Sequence, residues 1–143
     1  MDVLDNLAGA ALSARRLMAG VILLLTVTKM SFTNLEVQLI HKLVGELCRR
    51  RIPDHVKNQI RLSYTISNNQ VVIAEERPFR GASSEWIVLE IAKLRYVRTR
   101  NEWELYWKRA SEKWWRYQPH TNSKTLRAMI KEIDRDSDGC FFG

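Results

Sequence analysis

Between residues 92 and 117 the chain changes character at every second position. Leu94 and Tyr96 alternate with Lys93, Arg95 and Val97. After a turn at residues 99–101, Trp103, Leu105 and Trp107 alternate with Glu102, Glu104, Tyr106 and Lys108. A second turn at residues 110–112 leads into a returning segment, residues 113–117. Period two is the pattern of a strand with one buried and one open face; a helix would spread the same residues around its circumference. Three such segments in succession specify an antiparallel meander, and the rest of the chain must cover its apolar side.

Two amphipathic segments are suited to that task. Thr33 or Asn34 can cap a helix in which Leu35, Leu39, Ile40, Leu43, Val44, Leu47 and Cys48 share one face. Arg49, Arg50 and Arg51 suit its C-terminal dipole, and Pro53 stops it. Near the other end, Leu126, Met129, Ile130 and Ile133 form a regular stripe, with Asn122 or Ser123 as the expected cap. Between the first helix and the meander, Leu62, Tyr64 and Ile66 alternate with Ser63 and Thr65. Turn residues 67–70 follow, and residues 71–76 read as the returning strand of a hairpin. Residues 86–91 are apolar and fit a strand or a helix. The expectation is a single α+β domain over residues 30–143. It has two layers: an N-terminal helix, an antiparallel sheet of about five strands (hairpin plus meander) and a C-terminal helix.

Charge is concentrated on the same meander. The chain carries a formal +7, of which residues 1–29 account for +1 and residues 30–143 for +6. Residues 93–117 alone hold eight Lys or Arg against three Glu, and four of the five Trp. Concentrated positive charge suggests an anionic partner. If the apolar set faces the helices, parity leaves Lys93, Arg95, Tyr106, Lys108, Trp114 and Arg116 on the other face. They form a candidate nucleic-acid-binding set, with cations for phosphates and rings for base stacking. The competing reading is structural: Lys and Arg covering aromatic rings by cation–π contact and stem burial.

Reactive constellations are thin. There is no Gly-rich phosphate loop and no Gly-x-Ser-x-Gly elbow. Glu75-Glu76 and Glu90-Ile91-Ala92-Lys93 invite a metal-dependent nuclease reading. Their Glu-x-x-Lys spacing differs by one from the Glu-x-Lys of common nuclease cores, a difference that changes which sheet face each side chain uses. Asp134, Asp136 and Asp138 before Gly139 match the opening of a calcium loop and form a weak metal candidate. The bidentate carboxylate of such a loop would fall beyond Gly143. His41, His55 and His120 lack ligand spacing. Cys48 and Cys140 form no disulfide framework and fit a reducing compartment. No cofactor is implied, and a binding role is expected ahead of an enzymatic one.

Residues 1–29 read differently. Their apolar run, residues 17–27, is eleven residues long, against the roughly 20 that a spanning helix needs. Arg15 and Arg16 block its extension, the start is acidic, and no small-residue cleavage site follows. Met30 opens a clean helix-initiating sequence. Three readings stay open for residues 1–29: upstream translation, a poorly ordered or helical extension, and an export or membrane role. No membrane contact is expected of residues 30–143.

The segments Leu35-Glu36-Val37, Ile60-Arg61-Leu62, Tyr96-Val97-Arg98-Thr99-Arg100, Leu105-Tyr106-Trp107 and Lys113-Trp114 form a recognisable set, together with Cys48 followed by the arginines and Pro53. The chain ends Asp138-Gly139-Cys140-Phe141-Phe142-Gly143. This combination resembles a small bacterial family of unknown function marked by YVKTR-like, YW and terminal GCFFG segments. The resemblance covers residues 30–143 and implies no activity, cofactor or site residue.

The leading functional expectation is therefore a non-enzymatic cytoplasmic binding module whose basic aromatic sheet face engages nucleic acid or another polyanion. The alternative is a protein-interaction or homodimer module using the Trp-rich strands and the C-terminal tail. That tail, residues 140–143, can also tuck into the domain's own core.

Overall fold

The computed structural model describes residues 31–81 and 84–143. The three readings of residues 1–29 lie outside the described residues. Helix α1, Asn34–Arg51, starts where the sequence places it. The Thr33 hydroxyl accepts from the Glu36 N–H, and the Glu36 carboxylate accepts from the Thr33 N–H, a complete capping box. A 3-10 turn, Asp54–Val56, leads to the hairpin of β1 (Arg61–Ser67) and β2 (Gln70–Pro78). Its two-residue turn puts Asn68 at φ 49°, a conformation Asn tolerates better than most residues.

Strand β3 runs Trp86–Val97, so the ambiguous segment at residues 86–91 is strand. β4, Glu102–Lys108, and β5, Trp114–Arg116, complete the meander in the order β1-β2-β3-β4-β5, all antiparallel. A sixth strand, β6 (Asn122–Ser123), also pairs with β4. β5 and β6 are two pieces of one edge interrupted by a 3-10 turn at Gln118–His120. Leu105 bridges the gap: its carbonyl accepts from Tyr117 N–H at 2.9 Å, and its N–H donates to Thr121 O at 3.2 Å. Asn122 and Ser123 are thus spent on the sheet. The cap of α2 (Leu126–Arg135) is instead Thr125, whose hydroxyl accepts from Ala128 N–H.

Both helices pack on the sheet face that carries Val71, Ile73, Ala92, Leu94, Trp103, Leu105 and Tyr117, all buried. From α1 come Ile40, Val44 and Leu47, and from α2 Met129 and Ile133, each fully buried. Removing such surface from water is the main driving term for this fold. The helices are also tied by charge: Arg50 and Arg51 reach Asp134 at 2.7 and 3.1 Å. Burial alone would raise the Asp134 pKa, but the two guanidinium groups outweigh it and hold the carboxyl below its ordinary range.

Candidate functional site

The face opposite the helices is built by strand parity. In register, Lys93 stands beside Tyr106, Tyr106 beside Arg116, Lys108 beside Trp114, and Arg95 beside Glu104. Four adjacent pairings on β3, β4 and β5 therefore bring all six sequence-identified residues onto one surface. The rings and cations interleave. The Lys93 ammonium lies 4.8 Å from the Tyr106 ring centre and 5.0 Å from that of Trp114. Lys108 approaches Trp114 at 5.1 Å, and Arg116 approaches Tyr106 at 5.6 Å. Tyr106 is consequently flanked by cations from both neighbouring strands. Its ring holds charge and does not present a bare stacking plane.

The organising residue is one that parity could have found and charge counting passed over. Glu104, only 4% exposed, sits on this face. Its carboxylate meets Arg100 at 2.6 Å, the Tyr106 hydroxyl at 2.7 Å, Arg116 at 3.2 Å and Arg95 at 3.9 Å. Burial pushes its pKa up; the Tyr106 hydroxyl and the surrounding arginines push it further down, and the carboxylate stays charged. The signal in the sequence was the cross-strand position of Glu104 opposite Arg95, two residues from Tyr106. Glu90 plays a smaller version of the part, taking Lys108 at 2.6 Å.

Glu90 reaches this face through an irregularity. β2 residues Ile73 and Ala74 pair with Ala92 and Glu90, leaving Ile91 as an extra, bulged residue. The bulge reverses the alternation, so Glu90 and Lys93 share a face despite their three-residue spacing. Strict parity would have separated them. The Glu90 carboxylate is nonetheless engaged by Lys108, and among the described residues no three His, Cys, Asp or Glu side chains converge as metal ligands.

Lys93 differs from its neighbours. Among the described residues it makes no ion pair, and the nearby carboxylates go to Arg95, Arg100, Lys108 and Arg116. Its pKa is lowered, chiefly by burial and then by the charge of Arg95; the Glu90 carboxylate opposes the shift and Lys108 adds to it. Around the face, six cations (Lys93, Arg95, Arg100, Lys108, Arg116 and Lys124) meet four carboxylates (Glu90, Glu102, Glu104 and Glu112), an excess of two positive charges.

The acidic residues at the C-terminal end of α2 tie it to α1 and to the tail. Asp134 binds Arg50 and Arg51. Asp136, the C-cap of α2 at φ 44°, accepts from the N–H groups of Phe141 and Phe142 at 3.0 and 2.9 Å. This folds the tail back: Phe141 is buried with its ring 5.0 Å from Tyr117, and Arg51 stacks 3.6 Å over Phe142. Cys48 is a buried hydrophobe whose thiol pKa is pushed up to about 11 by burial, which removes it as a nucleophile at neutral pH. Trp115 shares parity with the covered face but is 47% exposed at the sheet edge, where Arg109 stacks on it. Among the described residues, no helix is long and apolar enough to cross a membrane.

The chain belongs to the family described as Domain of unknown function (DUF3024), whose model matches residues 32–143. Comparison with curated proteins and with solved structures finds no match.

Proposed function

We propose that this domain is a non-enzymatic binding module whose helix-free sheet face holds a polyanion, with nucleic acid the leading candidate. The observation that carries the reading is Lys93. Among the described residues its ammonium makes no ion pair, although Glu90 acts on it at longer range, and it is held between two rings on a face with a positive excess. Its neighbours are pre-positioned by Glu104 and Glu90, so their side-chain ordering is already complete before a ligand arrives. Tyr106 and Trp114 are occupied by cations, which favours backbone phosphate contacts over base stacking. Affinity should then be insensitive to base sequence and steeply dependent on salt. Two free thiols, Cys48 and Cys140, support a reducing, cytoplasmic setting.

The test is fluorescence anisotropy with labelled single- and double-stranded DNA and RNA over a salt series. Salt-sensitive binding that Lys93→Met, Lys108→Glu and Arg116→Glu each weaken is the expected result. No binding at low ionic strength, or binding indifferent to all three changes, would sink the proposal.

A further inference from the structure

At one end the sheet extends past the cover of its helices. In register, Glu75 pairs with Leu89 and Arg77 with Ile87, and parity from Ile73 places all four on the helix-bearing side. Ile87 and Leu89 are nonetheless 42% and 49% exposed, whereas Ala92 and Leu94 on the same strand are fully buried. With Ile60 and Phe79 they line an apolar cleft of about 800 Å³. That lies within the roughly 300–1,000 Å³ of small-molecule sites. The Phe79 ring is set in place by its surroundings. Its N–H donates to Glu85 O at 2.9 Å, and the chain passes so close to the ring that a Cβ on Gly81 would overlap it. The polar part of the lining carries one sign of charge. Arg77 and Arg80 line the cleft, and among the described residues no carboxylate does. Arg77 gives its Nε to Glu75 at 2.7 Å, which leaves both Nη groups without a hydrogen bond among the described residues. Arg80 makes no ion pair among them.

We propose that this cleft binds a small amphipathic acid, with its carboxylate on the Arg77 and Arg80 guanidinium groups and its hydrocarbon body on Ile60, Phe79, Ile87 and Leu89. This goes beyond the polyanion reading and does not depend on it, since Lys93 lies on the opposite face of the sheet. Charge selects the occupant. A guanidinium presents parallel N–H donors that match the two oxygens of a carboxylate, and Arg77 still has its Nη pair to offer. A wholly apolar occupant would cover two guanidinium groups and pair neither, at a desolvation cost. A nucleic acid would set phosphates and sugars against hydrocarbon. An acid with one charged head and an apolar body satisfies both halves of the lining.

Calorimetric titration of the full chain with octanoate, and with octanol as its uncharged counterpart, tests this. The expected result is saturable octanoate binding at one site per chain, with octanol at least about tenfold weaker. Arg77→Gln and Arg80→Gln should each weaken octanoate at least about fivefold and leave octanol where it was. Leu89→Asp, which puts a carboxylate in the floor, should weaken both, as should Gly81→Ala, which displaces the Phe79 ring. Arg80 and Leu89 are exposed, so the far-ultraviolet spectrum should stay unchanged in their variants. Lys93→Met should leave the octanoate titration unaltered, and Arg80→Gln should leave nucleic-acid anisotropy unaltered, so each reading can fail alone. Three results overturn the proposal: no saturable heat through the millimolar range, equal affinity for octanoate and octanol, or binding indifferent to Arg77→Gln, Arg80→Gln and Leu89→Asp. Self-association in sedimentation velocity that Leu89→Asp abolishes would also overturn it, by giving the cleft to a second copy.

Discussion

The two faces of this sheet use the same strands and opposite physics. On the helix-bearing face, Leu94, Leu105 and Ile73 are fully buried and their contribution is the area withdrawn from water. On the open face, Lys93, Tyr106, Arg116 and Trp114 are half-buried by one another, and Glu104 is nearly as buried as the core although no helix lies over it. Burial on the first face is driven by solvent. On the second it is built from long side chains laid over rings, with a carboxylate beneath to balance them. The difference predicts how each face fails. The covered face should lose stability when atoms are deleted, and the open face should lose charge placement first.

The largest effect is expected in the core. Leu105→Ala should cost about 2–5 kcal/mol in urea unfolding, since the side chain is inaccessible and its neighbours are held by the sheet. Phe141→Ala should cost somewhat less, about 2–4 kcal/mol, because the tail can retreat once the ring is gone. A loss below about 0.5 kcal/mol would show that the tail is an appendage and that the Asp136 turn holds nothing of consequence.

Glu104→Gln probes the one place where the open face behaves like a core. It keeps the shape but removes the charge that Arg95, Arg100 and Arg116 share, and should cost about 1–3 kcal/mol at neutral pH. The sign with pH follows from the lowered pKa: the folded carboxylate holds its proton more weakly than the ordinary value of 4.5. Its stabilising contribution is present above that value and is lost as pH falls through the lower folded one. Wild type and variant should therefore converge in stability under acid, measured by thermal unfolding between neutral pH and pH 3. Polyanion binding should move the other way, since the variant face gains a positive charge.

Much of this was legible from alternation. The β1–β2 hairpin and the β3–β4–β5 meander follow from period two, and the six open-face residues from parity alone. What escaped was whatever broke the period. Ile91 lies within an apolar run, Ile87-Val88-Leu89-Glu90-Ile91-Ala92, where one extra residue leaves no mark in the hydrophobic pattern. Its effect is nonetheless to move Glu90 to the face of Lys93. β6 is two polar residues held by backbone bonds around Leu105, so side-chain pattern could not announce it, and Asn122 and Ser123 resembled caps. Trp115 had the right parity but stands beyond the reach of either helix, because parity gives the face and not the extent of its cover.

The smallest stability effect should come from Lys93, the residue on which the proposed binding turns. Lys93 is held with its pKa depressed by burial and by Arg95 and Lys108, so the folded state disfavours its charge. Below the depressed folded pKa that penalty is fully present. It fades as pH rises through that pKa toward the ordinary 10.5, because the unfolded chain then still carries the proton. Lys93→Met keeps the stem against Tyr106 and Trp114 and removes the charge. Urea unfolding at pH 7 should therefore change by less than about 0.5 kcal/mol, in the stabilising direction, and that small gain should shrink at pH 10. Anisotropy with the labelled nucleic acids should fall at the same time. A residue that costs the fold a little and the binding a lot is what a functional face requires. If Lys93→Met instead destabilises by more than 1 kcal/mol or so, its ammonium is a structural tie between two rings, and the open face is a second core made of cation–π contacts.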